Sequence, residues 1–175
     1  MRRNTRQIVL SFVLISVLAM GAVAVVSYTS SSPSAKFGGL NSVHEHAAFL
    51  VIIEGTSLGL GQAKYQVKSP YIHVENGIGT TLHKHASLVP VGEFFRSVGM
   101  DVRNSCLVLD DGLQYCSADG KKLRFFVNRV ERNPDAIINY VLDDNDRFLL
   151  LYGEDSKEAA DRALEQLEQL PIFRS

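Results

Sequence analysis

Apolar and polar positions change their spacing several times along this chain, and each change marks a predicted element. Ile8 to Tyr28 is an uncharged, largely apolar run of about 21 residues, long enough as a helix to cross roughly 30 Å of hydrocarbon. Residues 29–42 are rich in Ser, Gly and Pro and read as a flexible stalk. Val43 to Glu54 reads as a long strand whose second half, Phe49 to Ile53, is continuously apolar, the pattern of a strand buried on both faces. Gly55 to Gly61 reads as a loop, and Lys64–Val67, Tyr71–Glu75 and Thr80–His85 as short strands, the last two joined around Asn76-Gly77. Pro90 to Gly99 predicts a short helix with Phe94, Phe95 and Val98 inward and Gly99 as its stop. Leu123–Val127 and Arg147–Tyr152 are further strands, with a turn beginning at Asn133-Pro134 between them. From Asp155 the spacing becomes helical. Ala160, Ala163, Leu164, Leu167 and Leu170 form one apolar stripe, and Pro171 ends it.

These elements predict residues 1–28 as a transmembrane signal anchor, 29–42 as the stalk, 43–153 as one α+β domain with a mostly antiparallel sheet, and 154–175 as an amphipathic helix. Charge sets the orientation. Arg2, Arg3 and Arg6 precede the apolar run and no charge follows it until Lys36, which predicts a cytoplasmic N-terminus and an extracytoplasmic domain. The competing reading is a cleaved signal peptide, for which Ser32, Pro33, Ser34 and Ala35 would suit the cleavage region. Both readings export the domain. All 19 acidic residues lie beyond residue 35 together with 15 of the 18 basic ones. That mild acidity argues against nucleic acid as a partner and leaves the membrane as a partner through the N-terminal helix alone.

The two cysteines, Cys106 and Cys116, flank Asp110-Asp111-Gly112. A three-residue hairpin loop with Gly112 in the left-handed conformation sets them directly opposite each other, close enough for a disulfide, and an exported compartment permits one. A two-residue loop would misalign them. A redox pair or metal thiolates are the rival readings, although the spacing is not Cys-x-x-Cys and no histidine lies nearby in sequence.

The candidate chemistry lies in the histidines. All five fall between residues 44 and 85, as His44-Glu45-His46, His73 and His83-Lys84-His85. Side chains alternate along a strand, so each His-x-His pair presents both imidazoles on one face. If the two strands are neighbours, four imidazoles share a face while Glu45 and Lys84 pair on the other, and the small Ala47 and Ala86 leave room for an exogenous ligand. Such a donor set suits copper or zinc. His73 depends on register: a two-residue Asn76-Gly77 turn puts it opposite Thr80 and on the wrong face, whereas an odd-length loop puts it beside His83 and His85. Glu75 shares the face of His73 and could supply a carboxylate or a supporting acceptor. Unrelated solvated histidines and a pH-responsive cluster are the alternatives. The favoured function is copper or zinc binding through His44, His46, His83 and His85, with His73 as a fifth donor. Its use would be metal handling or service as accessory to a membrane metalloenzyme. The alternatives are a small extracellular metalloenzyme, for which no convincing general base is visible, and a metal-free protein-interaction module.

Several stretches together resemble a family of short, exported, membrane-anchored proteins of archaea, ammonia oxidisers among them. They are Lys64-Tyr-Gln-Val-Lys, His73-Val-Glu-Asn-Gly, Leu82-His-Lys-His-Ala, Phe94-Phe95, Gly99-Met100, Cys106 with Cys116, Phe125-Phe-Val-Asn128, Tyr140 to Arg147, and Leu151-Tyr-Gly153. The resemblance covers roughly residues 43–153 and implies an exported location, but no reaction. The last third is also similar in pattern to β-grasp domains of the sulfur-carrier type, which implies a β-grasp-like C-terminal half. Sulfur carriers act through a Gly-Gly tail. This chain continues instead into a helix and Phe173-Arg174-Ser175, so that function does not carry over.

Overall fold

The computed structural model describes residues 37–174; the expected anchor at Ile8–Tyr28 lies outside them. The described chain is α+β, with one large and mostly antiparallel sheet. Its centre is a parallel pair, β1 (Glu45–Ile53) beside β10 (Arg147–Glu154), in register from Ala48 opposite Arg147 to Ile53 opposite Tyr152. On the other edge of β1 runs β4 (Ile78–Lys84), followed by β3 (Ile72–Glu75), both antiparallel to their neighbours. Beyond β10 lie β8 (Lys121–Val127) and β9 (Val130–Arg132), while the two-residue β2 (Thr56–Ser57) folds back on the end of β1. A separate three-stranded sheet is built from β5 (Asp101–Arg103), β6 (Cys106–Val108) and β7 (Gln114–Cys116).

The continuous apolar run in β1 follows from helices or loops on both sides of it. Phe49 and Val51 face the larger core, where α1 (Val91–Ser97) contributes Phe94 and Phe95. The Phe49 ring meets Phe148, Phe94 and Phe95 at 4.9, 5.6 and 5.9 Å between centroids, and such pairs contribute about 0.5–1.5 kcal/mol each beyond burial. Leu50 and Ile52 face the other way, with Leu149 and Leu151, under α2 (Lys157–Gln169). The stripe read from sequence covers this face: Ala160, Ala163, Leu164 and Leu167 are buried on it, and Leu170 packs at its edge. Ser156 caps α2 by accepting from the Ala159 N–H at 3.2 Å, satisfying one of the free donors of the first turn. No helix among the described residues is long and apolar enough to cross a membrane.

The cysteine hairpin has the expected geometry. Leu109 N–H donates to Leu113 O, Gly112 has φ +87°, and Cys106 is disulfide-bonded to Cys116, its direct cross-strand partner. Three expectations change. Lys64–Val67 is not a strand: Ala63–Tyr65 forms a 3-10 turn, and Gln66 alone bridges to Val74. The reason is Tyr65, which turns inward to 3 % exposure and donates its hydroxyl to Asp110 Oδ1 at 2.9 Å. The short strands β2, within the expected Gly55–Gly61 loop, β5 and β9 are additions. Within the predicted stalk, Phe37 and Gly38 touch the domain, with the Phe37 ring on Tyr71 at 5.2 Å and the Gly38 N–H on Ser87 O at 2.7 Å, while residues 39–42 are exposed.

Candidate metal centre

The pairing of β1 with β4 creates the candidate site. His46 stands directly opposite His83, one step from Glu45 opposite Lys84. The next step outward is His44 against His85, whose rings meet at 4.8 Å, while the His46 and His83 rings are also 4.8 Å apart. Alternation then separates the chemistry. The histidines take the face that Ala48 and Leu50 share, and Lys84 takes the face of Leu82. There Lys84 is buried, ion-paired with Glu45, and donates to Leu142 O at 2.5 Å. Glu45 is thereby held away from the imidazoles.

His73 joins them by a route that neither predicted turn describes. The Asn76-Gly77 turn does have two residues, since Glu75 pairs with Ile78, and its φ values of +55° and +74° suit Asn and Gly. Yet His73 pairs with His83 rather than Thr80, because the register shifts between His73 and Glu75. The shift is odd and so reverses the face of His73. Close packing accompanies it: a Cβ at Gly79 would lie 2.2 Å from Gly61 N, so only glycine lets the Leu60-Gly61 backbone sit against β4 there. The result is a closed circuit of five rings. His44 touches His46 and His85, His73 lies 5.0 Å from His85 and 6.1 Å from His83, and His83 returns to His46.

Within that circuit, one ligand atom from each of His44, His46 and His83 falls within 4.8 Å of the others. His46 and His83 are buried, while His44 is exposed and forms the open side. Neither ring nitrogen of His46 has a hydrogen-bond partner, and neither does Nδ1 of His83; such orphans cost about 1–3 kcal/mol each. His73 is oriented differently, its Nδ1–H donating to Ser69 O at 2.8 Å. That bond leaves Nε2 as the lone-pair nitrogen of the neutral ring, the arrangement commonly found behind metal-bound imidazoles. Glu75 is the carboxylate beside the rings, with Oε2 at 3.4 Å from His73 Nε2 and Oε1 at 3.7 Å from His83 Nδ1.

Burial is the largest influence on three of these groups. It pushes the His83 pKa down to about 4, against the opposing pull of Glu75 and with help from His46, His73 and His85. His46 is lowered by burial and then by His44, and His85 by burial and then by His73. Near neutral pH these imidazoles are therefore unprotonated and able to donate lone pairs.

Residues distant in sequence fix the strand end. His46 N–H donates to Asp144 Oδ1 at 2.9 Å, and Asn145 N–H donates to His46 O at 2.8 Å. The segment after α2 closes the same edge: Phe173 N–H donates to Thr81 Oγ1, and Arg174 donates to Asp144 Oδ2 and Asn145 Oδ1 at 3.2 and 2.6 Å. Sequence reasoning did not assign Asp144, Asn145, Arg174 or Ser69 to the site. The sole available signal was a turn-forming Asp-Asp-Asn-Asp run before a strand, which by itself says nothing about histidines. No protein-family model, curated protein or solved structure matches the chain.

Proposed function

We propose that this chain is a membrane-anchored, extracytoplasmic protein that binds copper or zinc through His44, His46, His83 and His85 with His73 beside them, in metal handling or as accessory to a membrane metalloenzyme. One observation carries the reading: His46 and His83 bury ring nitrogens with no hydrogen-bond partner inside a group whose ligand atoms lie within 4.8 Å of one another. Buried polar atoms are normally satisfied, and a borderline metal ion on neutral imidazoles would satisfy these. Both cysteines are committed to the disulfide, which disfavours a blue-copper centre with its thiolate ligand.

The location rests on Arg2, Arg3 and Arg6 before Ile8–Tyr28, and the disulfide is in keeping with an oxidising compartment. The C-terminal half is read as β-grasp-like. That reading is supported by β10, the last strand, which lies antiparallel to β8 and parallel to β1 at the centre of the sheet.

The test is elemental analysis of the purified full-length chain, stripped, reloaded with Zn(II) or Cu(II) and freed of excess metal. The parent should retain metal, and the His46→Ala/His83→Ala double variant should lose at least one ion per chain. A metal-free parent, or equal content in both, rejects the site.

A further inference from the structure

We propose that the histidine circuit holds two metal ions, the first on His44, His46 and His83 and the second on His73, His85 and Glu75. This inference rests on the metal-binding reading above and deepens it. The donor count is the first ground. Five imidazoles and one carboxylate exceed what a single tetrahedral ion accepts, and they divide into two sets of three, the number found where a zinc keeps an open position.

Ring spacing sets His83 apart from His73 and His85. His44, His46 and His83 form the group whose ligand atoms lie within 4.8 Å of one another. His73 and His85 approach each other to 5.0 Å between ring centroids, whereas His83 stands 6.1 Å from His73 and 6.5 Å from His85. Those two longer separations mark the boundary on the His83 side, while His44 and His85, 4.8 Å apart, are where the two sets meet. Glu75 lies along it, with one oxygen toward His73 Nε2 and the other toward His83 Nδ1.

A third ground is the direction of the lone pairs. Because His73 Nδ1–H is used on Ser69 O, a neutral His73 turns its Nε2 lone pair toward Glu75 Oε2 at 3.4 Å. Two acceptors then face each other, which is unfavourable without a positive charge between them. A metal ion supplies that charge.

The experiment counts zinc. The full-length chain is stripped with chelator, loaded with excess Zn(II), passed through a desalting column and analysed for metal and protein. Two zinc ions per chain are expected in the parent and one in His73→Ala/His85→Ala. Glu75→Gln, which keeps the side chain's size, should bind the second ion at least tenfold more weakly while the first is unaffected. One zinc per chain in the parent overturns the second site and leaves the proposed function standing, whereas none overturns both. Two ions in the parent and two in His73→Ala/His85→Ala also overturn the assignment. Because the parent's stoichiometry decides the main point, the result does not depend on how well any variant folds.

Discussion

Acidifying the metal-free domain should destabilise it in a window set by the histidines. Unfolded, His83 takes up a proton near its ordinary pKa of 6.5; folded, burial delays that to about 4. Stability from this group is therefore complete above about pH 6.5 and is lost as the pH falls towards 4. Each pKa unit corresponds to about 1.4 kcal/mol, so His83 alone should remove roughly 2 kcal/mol between pH 7 and pH 5. His46 and His85 shift in the same direction and add to the loss. Against a typical stability of about 5–15 kcal/mol this is a large fraction. The assay is urea denaturation of the compact unit Phe37–Ser175, stripped of metal, at the two pH values. His83→Gln, which cannot take up the proton, should show a pH-dependent loss smaller by roughly 2 kcal/mol than the parent's. Zinc at a hundred times its dissociation constant should add about 2.7 kcal/mol at pH 7 and much less at pH 5, where protons compete for the same nitrogens. Equal stability of the metal-free parent at pH 7 and pH 5 would refute the reasoning, as would an unchanged loss in His83→Gln.

Gly79→Ala should cost about 1–3 kcal/mol and lower zinc affinity, because the added carbon meets Gly61 N at 2.2 Å and displaces the register shift that turns His73 inward; an unaltered urea midpoint together with unaltered affinity would count against that account. Cys106→Ser/Cys116→Ser should lose about 2–3 kcal/mol, the loop-entropy value for so short a closure, read from urea midpoints, and a loss below about 0.5 kcal/mol would contradict it. Protease added to intact cells should remove the domain and leave a small membrane fragment. Full protection would reverse the topology drawn from Arg2, Arg3 and Arg6, and release of a full-size domain with a new N-terminus near Lys36 would indicate a cleaved signal.

The two His-x-His pairs were legible because strand alternation is local, and the Glu45–Lys84 pair on the opposite face follows from the same rule. The cysteine hairpin was legible because loop length and Gly112 together determine register. His73 was not, since its face depends on how the Leu60-Gly61 backbone packs on Gly79, a contact between segments with no shared pattern. Nor was the Asp144 contact to His46, which depends on β1 lying parallel to β10 about a hundred residues later. β9 escaped detection because all three of its residues are exposed, leaving no apolar alternation to read.

That parallel pairing also imposes an order of assembly. Every proposed ligand, from His44 to His85, belongs to β1, β3, β4 or their immediate flanks, and these strands pair with one another across short stretches of chain. The other edge of β1 must wait for β10, which begins at Arg147. At about 5–20 residues per second, the chain between them takes roughly 5–19 seconds to synthesise. During that interval the apolar run Phe49–Ile53 has an unpaired edge, the condition in which strands associate with other chains. On the proposed metal-binding reading, an ion captured by the first half would clamp β1 to β4 while that edge is open, and metal supply during synthesis would then set how much chain reaches the native sheet rather than aggregating.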